Sequence, residues 1–168
     1  SKGLFDVIEI CKILKSRNID FKCSIVGNGE QLIIDRLNKQ IRSQNLSSNV
    51  FFLGKKYDFE KEKVFRDHNI FIFPTRYSKE CFPLVLLEAL SFGLVCFSSK
   101  EGAIPDIINE SIGYTYENDF VSKFSEKIMY LNNNKHIIKK KSNLSLQEFN
   151  RNYTLDIFKD KIFKIFKI

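Results

Sequence analysis

The chain has 168 residues, 43% of them hydrophobic, which is enough for one domain with its own core. A net charge of +7 suits an anionic partner, either a phosphorylated ligand or an acidic lipid surface. The lysines are spread along the whole chain, with no basic stripe interleaved with base-stacking aromatics, which argues against nucleic acid. No apolar run approaches the roughly 20 residues of a transmembrane helix. Cys11, Cys23, Cys81 and Cys96 form no CxxC or metal spacing, and with no secretory signal they read as reduced thiols of a cytoplasmic protein. His68 and His136 stand far apart without a ligand pattern, so no metal is expected.

In chain order, Ser1-Lys2-Gly3 opens into an amphipathic helix over Leu4–Ser16. A buried strand is predicted over Phe21–Val26, and Gly27-Asn28-Gly29-Glu30 turns into a helix at Gln31–Ser43. The glycine pair lacks the third glycine of a dinucleotide fingerprint, so a nicotinamide site is not expected. Strand Val50–Gly54 precedes the basic loop Lys55-Lys56-Tyr57, and Asp58 is the expected N-cap of a helix at Phe59–Asp67.

The most informative stretch follows the strand Ile70-Phe71-Ile72-Phe73. Pro74-Thr75-Arg76-Tyr77-Ser78-Lys79 makes a turn, and Glu80-Cys81-Phe82-Pro83 leads into Leu84–Leu90. A helix is predicted at about 83–92, with Pro83 as its first residue and Gly93 as its stop. Cys81 and Phe82 carry no side-chain oxygen for capping. The N–H groups of Leu84 and Val85 therefore point out of a positive helix end, a ready place for a phosphate. Glu88 sits in an apolar run, where a carboxylate needs a donor, and a vicinal diol supplies two. Together these suggest a sugar-nucleotide site; the alternative is a core helix whose edge glutamate reaches solvent. Arg76 could reach a phosphate or acceptor, but a surface salt bridge is its plainer role.

Beyond it, Leu94–Phe97 reads as a fully buried strand and Ser98–Asp106 as a loop containing Gly102, Ala103 and Pro105. Gly113–Tyr116 is the last predicted strand. Asn118 or Asp119 caps a helix to about Leu131, and Asn132-Asn133-Asn134 turns into a helix at His136–Phe149. Tyr153–Ile168 reads as a basic amphipathic helix, with Leu155, Phe158, Ile162, Phe163 and Phe166 on one side and lysines at 159, 161, 164 and 167.

The stretch Phe73-Pro74-Thr75 through Glu80, seven intervening residues, Glu88-Ala89-Leu90 and Gly93 resembles the signature of retaining glycosyltransferases of family 4, also called group 1. The resemblance implies the C-terminal, donor-binding half of a GT-B enzyme. It places Lys2 on the donor diphosphate, the Gly27/Gly29 turn near the nucleotide, and the backbone near Lys55 and Lys56 against the base. It places Glu80 on hydroxyls of the donor sugar, and Phe82, Pro83 and Leu84 against sugar and diphosphate. The loss of the N–H at Pro83 shifts the anion contacts to Leu84 and Val85. Glu88 matches the glutamate that holds the ribose hydroxyls, and Gly102 and Ala103 border the sugar. The family often has Gly at positions 81 and 83, and Glu where Asp106 stands.

The expected architecture is a three-layer, Rossmann-like α/β domain over residues 1–152 with a mostly parallel sheet and ligands at the strand C-terminal ends. The domain's first strand is expected to lie upstream of Lys2. Residues 153–168 are expected to pack back on an N-terminal domain that binds a carbohydrate or lipid-linked acceptor; peripheral attachment to the inner membrane face is the alternative. The resemblance implies transfer from a UDP- or GDP-type nucleotide diphosphate sugar, without metal, retaining configuration through chemistry in which the leaving diphosphate participates. A role in bacterial surface polysaccharide synthesis is the family habit, and this half alone is expected to be inactive. A nucleotide-sugar epimerase of GT-B architecture and a non-catalytic nucleotide-sugar-binding or membrane-docking module are the competing readings.

Overall fold

The computed structural model describes residues 2–166. In order the elements are α1 (Leu4–Ser16), β1 (Cys23–Val26), α2 (Gln31–Ser43), β2 (Val50–Gly54), α3 (Asp58–Arg66), β3 (Ile70–Phe73), α4 (Leu84–Ser91) and β4 (Val95–Ser99). They continue with α5 (Ile104–Ile107), β5 (Gly113–Tyr116), α6 (Phe120–Asn133), α7 (Lys135–Asn152) and α8 (Leu155–Phe166). This is the expected alternating α/β pattern, and every strand pairing is parallel. The hydrogen-bonded ladders, however, form two groups, β1-β2 and β3-β4-β5, rather than one sheet. Among the described residues β1 and β3 are not hydrogen-bonded to each other.

Alternation along β3 divides the interior into layers. Ile70 and Ile72 pack with Val95, Phe97, α1 and α6, whereas Phe71 and Phe73 pack with Cys96, α4 and α7. Strand β4 is buried at every residue, as its continuous apolar run requires. Helix α1 spans the two ladders. Its Ile8 and Cys11 pack against β1, β2 and α2, while Ile10 and Leu14 join the β3–β4 side.

Several boundaries differ from the sequence expectations for identifiable reasons. Strand β1 starts at Cys23 rather than Phe21, because the Phe21 carbonyl accepts from the Asn49 side chain at 3.0 Å instead of entering the ladder. Asp58 does not cap α3: it lies inside the helix with a φ of 43°, and the extended Tyr57 holds the N-cap position. Pro83 is the N-cap of α4, not its first residue, since its ψ of 101° is extended. Ile104–Ile107, expected as loop, forms the short helix α5 with Pro105 in its first turn. Helix α7 runs to Asn152, beyond the expected Phe149.

Gly93 ends α4 as expected. At φ 72° it lets Leu94 N–H reach the Ala89 carbonyl at 3.0 Å and its own N–H reach Leu90 at 2.9 Å, the paired bonds of a Schellman motif. The same bare Cα faces Ser142 and Leu146 of α7, where a Cβ would stand 2.8 Å from Ser142 Oγ. One residue thus turns the chain into β4 and admits α7. Asp119 holds the N-cap position of α6. Helix α8 buries none of its residues, and Leu155, Phe158, Phe163, Ile165 and Phe166 are exposed. Lys167 and Ile168, expected at its end, lie outside the described residues. No helix among the described residues is long and apolar enough to cross a membrane.

Phe97 is fully buried and meets the rings of Tyr114 and Phe124 at 5.0 and 5.2 Å. Phe97→Ala should lower unfolding free energy by about 3–5 kcal/mol. Phe158→Ser on the open face of α8 should change it by less than about 0.5 kcal/mol, both read from urea melts.

Candidate functional site

Because all five strands are parallel within their ladders, the loops that follow them leave from strand C-terminal ends, where an α/β fold gathers its ligands. These loops carry most of the residues singled out in the sequence, and Leu84, Val85 and Glu88 follow on α4. The turn after β3 delivers Glu80 to the front of α4, and the loop after β4 delivers Gly102 and Ala103. The two loops are joined. Ala103 N–H donates to the Cys81 carbonyl at 2.9 Å, and the Cα of Gly102, at φ 52°, lies directly against the Glu80 carbonyl. Any Cβ at residue 102 would collide with that backbone.

Glu80 is mostly buried, its side chain 12% exposed, and it forms an ion pair with Lys2. Thr75 Oγ1, fully buried, lies 3.5 Å from the same carboxylate and accepts from Tyr77 N–H at 3.2 Å. Lys2 Nζ also stands over the rings of Phe73 and Tyr77, 5.2 and 4.9 Å from their centroids. Lys2, Glu80, Gly102 and Ala103 are therefore assembled in one place.

Helix α4 follows at once. No side chain caps it; the Pro83 carbonyl accepts from Leu86 N–H at 3.0 Å. Among the described residues no acceptor takes the N–H of Leu84 or Val85. Phe82 and Leu84 are exposed and Pro83 is buried. A helix start with two free N–H groups, bordered by carboxylates, can receive an anion while the carboxylates take hydroxyl donors.

Glu88 follows the alternative reading, an edge glutamate that reaches solvent. It is not enclosed in the core: its side chain is 39% exposed, because α4 turns that edge towards α3. Its donor is Lys61, whose Nζ is 2.5 Å from Oε1. Sequence reading missed Lys61, although a signal was present. Lys61, Val64 and Phe65 recur at helical spacing on the inward face of α3, and a lysine in such a stripe calls for an anionic partner.

The remaining candidates form a second corner. Gly27 N–H donates to the Gly54 carbonyl at 3.0 Å, so the turns after β1 and β2 touch, with Gly29 in the open. Lys55 is exposed, while Lys56 binds Glu60 in the first turn of α3 at 2.9 Å. No hydrogen bond or ion pair among the described residues joins this corner to the Glu80 group. Arg76 forms the expected salt bridge, with Asp6, and stacks 4.9 Å from the Phe120 ring; the Asp6 carboxylate holds the guanidinium above its usual range.

A cleft of about 470 Å³ lies between α3 and the β1-β2 ladder, lined by Lys22, Ser24, Leu53, Lys63, Val64 and His68 among others. Ser24 Oγ and His68 Nε2 are buried without partners. The cleft adjoins the open edge of β1 and excludes Glu80 and Glu88. No cluster of metal-ligating side chains occurs among the described residues.

The sequence profile described as "Glycosyl transferases group 1" matches residues 1–151. An amylovoran biosynthesis glycosyltransferase of Erwinia amylovora is 30% identical over 115 residues, 66% of this chain and 28% of that protein. A colanic acid biosynthesis glycosyltransferase of Salmonella typhimurium, itself putative by name, is 29% identical over 64% of this chain and 27% of its own length. The chain thus spans less than a third of these relatives. Anabaena HepE, crystallised with UDP, superposes with a TM-score of 0.85 at 16% identity over 99% of this chain and 45% of that one. Staphylococcus aureus TarM, crystallised with fondaparinux, alpha-GlcNAc-glycerol and UDP, gives 0.80 at 22% identity, over 100% of this chain and 33% of that one. The fold is that of a GT-B glycosyltransferase domain, and the chain belongs to the glycosyl transferases group 1 family.

Proposed function

We propose that this chain is the donor-binding half of a retaining glycosyltransferase that takes a sugar from a UDP- or GDP-type nucleotide diphosphate sugar. The observation that carries the reading is the uncapped start of α4, set between Glu80 and Glu88 at the strand C-terminal ends. The diphosphate would lie on the N–H groups of Leu84 and Val85, with Lys2 beside it. Glu88 would hold the ribose diol, and Glu80 the hydroxyls of the transferred sugar against Gly102 and Ala103. The Gly27 turn and the backbone of Lys55 and Lys56 would meet the base. In this role the domain positions the donor and stabilises negative charge as the diphosphate departs. It needs no metal for that, because a lysine and a helix start supply the positive field.

The acceptor, carbohydrate or lipid-linked, would bind on a second domain, and transfer would take place between the two. Two features of the chain support such a division. The apolar face of α8 is uncovered, as a helix that packs on another domain would leave it. The ladders, in order β2-β1 and β3-β4-β5, follow a doubly wound sheet that has its first strand between β1 and β3. Lys2 lies over Phe73 at the end of β3, where a strand running parallel to β3 would deliver the chain into α1. The names of the relatives support polysaccharide assembly as the setting.

A thermal-shift screen with UDP, GDP and their sugar conjugates tests the reading. A ligand at 100 times its Kd should stabilise by about 2.7 kcal/mol. Glu88→Ala should reduce that shift sharply, and retention of the full shift would refute the ribose assignment. Bound nucleotide should also slow alkylation of Cys81, which is exposed in the Glu80 loop. Cys96, buried with its thiol pushed up by burial, should react only on unfolding, with or without ligand. The isolated chain should show no sugar transfer, measured as nucleotide release with acceptor present.

A further inference from the structure

Lys61 is held towards Glu88 by the structure of α3 itself. Its position in the stripe with Val64 and Phe65 turns it inward, and Phe65 is buried in the same core cluster as Leu86 and Leu90 of α4. The neighbouring acids on α3 are already engaged, Glu60 with Lys56 in the loop before the helix at 2.9 Å and Glu62 with Arg66 one turn along the helix at 3.1 Å. Glu88 is therefore the carboxylate left for Lys61, and the 2.5 Å contact occupies its Oε1. A vicinal diol binds a carboxylate through two O–H donors and is best served by both oxygens.

We propose that Lys61 is an intramolecular competitor for the Glu88 carboxylate, and so sets how tightly this domain holds a nucleotide ribose. The proposal rests on the donor-site reading above. Binding of the diol must displace the ammonium or share the carboxylate with it. Lys61 and Glu88 are both more than one-third exposed, so the pair is weak enough to be displaced and strong enough to be felt.

The test compares UDP with 2′,3′-dideoxyuridine diphosphate by calorimetry, and GDP with its dideoxy analogue, on the native chain, Lys61→Met, Lys61→Arg and Glu88→Ala. Methionine keeps the aliphatic stem without the charge. Loss of a cation weakens both members of each ligand pair through their phosphates, so the readout is the ratio of Kd without the diol to Kd with it. In Lys61→Met that ratio should rise about two- to fivefold, the range for releasing a partly exposed ion pair. Lys61→Arg should keep the native ratio, and the melting temperatures should match. An unchanged or smaller ratio in Lys61→Met overturns the proposal while leaving the donor site intact. A native ratio near one, unaltered in Glu88→Ala, or no binding of either nucleotide, refutes the donor-site assignment and the proposal with it.

Discussion

Strand β4 is paired on both edges and buried on both faces, and the placement of the candidate site follows from that. Its register fixes β3 on one side, with Ile70 opposite Val95 and Phe73 opposite Ser98, and β5 on the other, with Cys96 opposite Gly113. Ser98 Oγ donates to the Phe73 carbonyl at 2.7 Å, locking the two strands at the end where their loops diverge. From there the Glu80 loop and the Gly102 loop start side by side. Their contact through a bare Cα is a consequence of strand register rather than of loop chemistry. A one-residue slip would exchange the faces of the buried strand and carry Glu80 away from Gly102 together.

The second organising feature is electrostatic. Each motif glutamate is met by a lysine from a different element, Glu80 by Lys2 and Glu88 by Lys61. The two pairs differ in setting. Glu80 is mostly enclosed and also touches Thr75, so its lysine acts as a fixed counter-charge. Lys61 and Glu88 share solvent, so their pair can open at small cost. With both carboxylates neutralised, the free N–H groups of α4 remain the positive feature between them. That suits a ligand presenting a diphosphate in the middle and hydroxyls at either side.

Much of this was legible in the sequence because its causes are local. The buried run of β4, the glycine that ends α4, and the absence of a side-chain cap before Leu84 are each decided within a few residues. The motif also named the carboxylates correctly as neighbours of a helix start. What was not legible depends on partners distant in the chain. Asn49 draws the Phe21 carbonyl out of β1, and the extended Tyr57 displaces Asp58 from the cap. The partner of Glu88 stands on another helix 27 positions upstream. Lys61 was readable as an anomaly in an apolar stripe, but only the packing of α3 on α4 says which carboxylate answers it. The division of the strands into two ladders is likewise decided by pairing between distant segments rather than within any one of them.

That division bears on how the candidate site is held together. Helix α1 packs on both ladders, and Lys2 at its start is tied to Glu80. Helix α3 crosses from the end of β2 to the start of β3, and it carries Lys61 to Glu88 on the far side. The two connections that hold the ladders together are thus the same two that bring cations to the carboxylates. A ligand bridging the Gly27 corner and the Glu80 group would span the same junction and add a third tie. Under the proposed function, a donor held at both corners would be coupled to the rigidity of that junction: stiffening it would favour the ligand, and the ligand would in turn stiffen it.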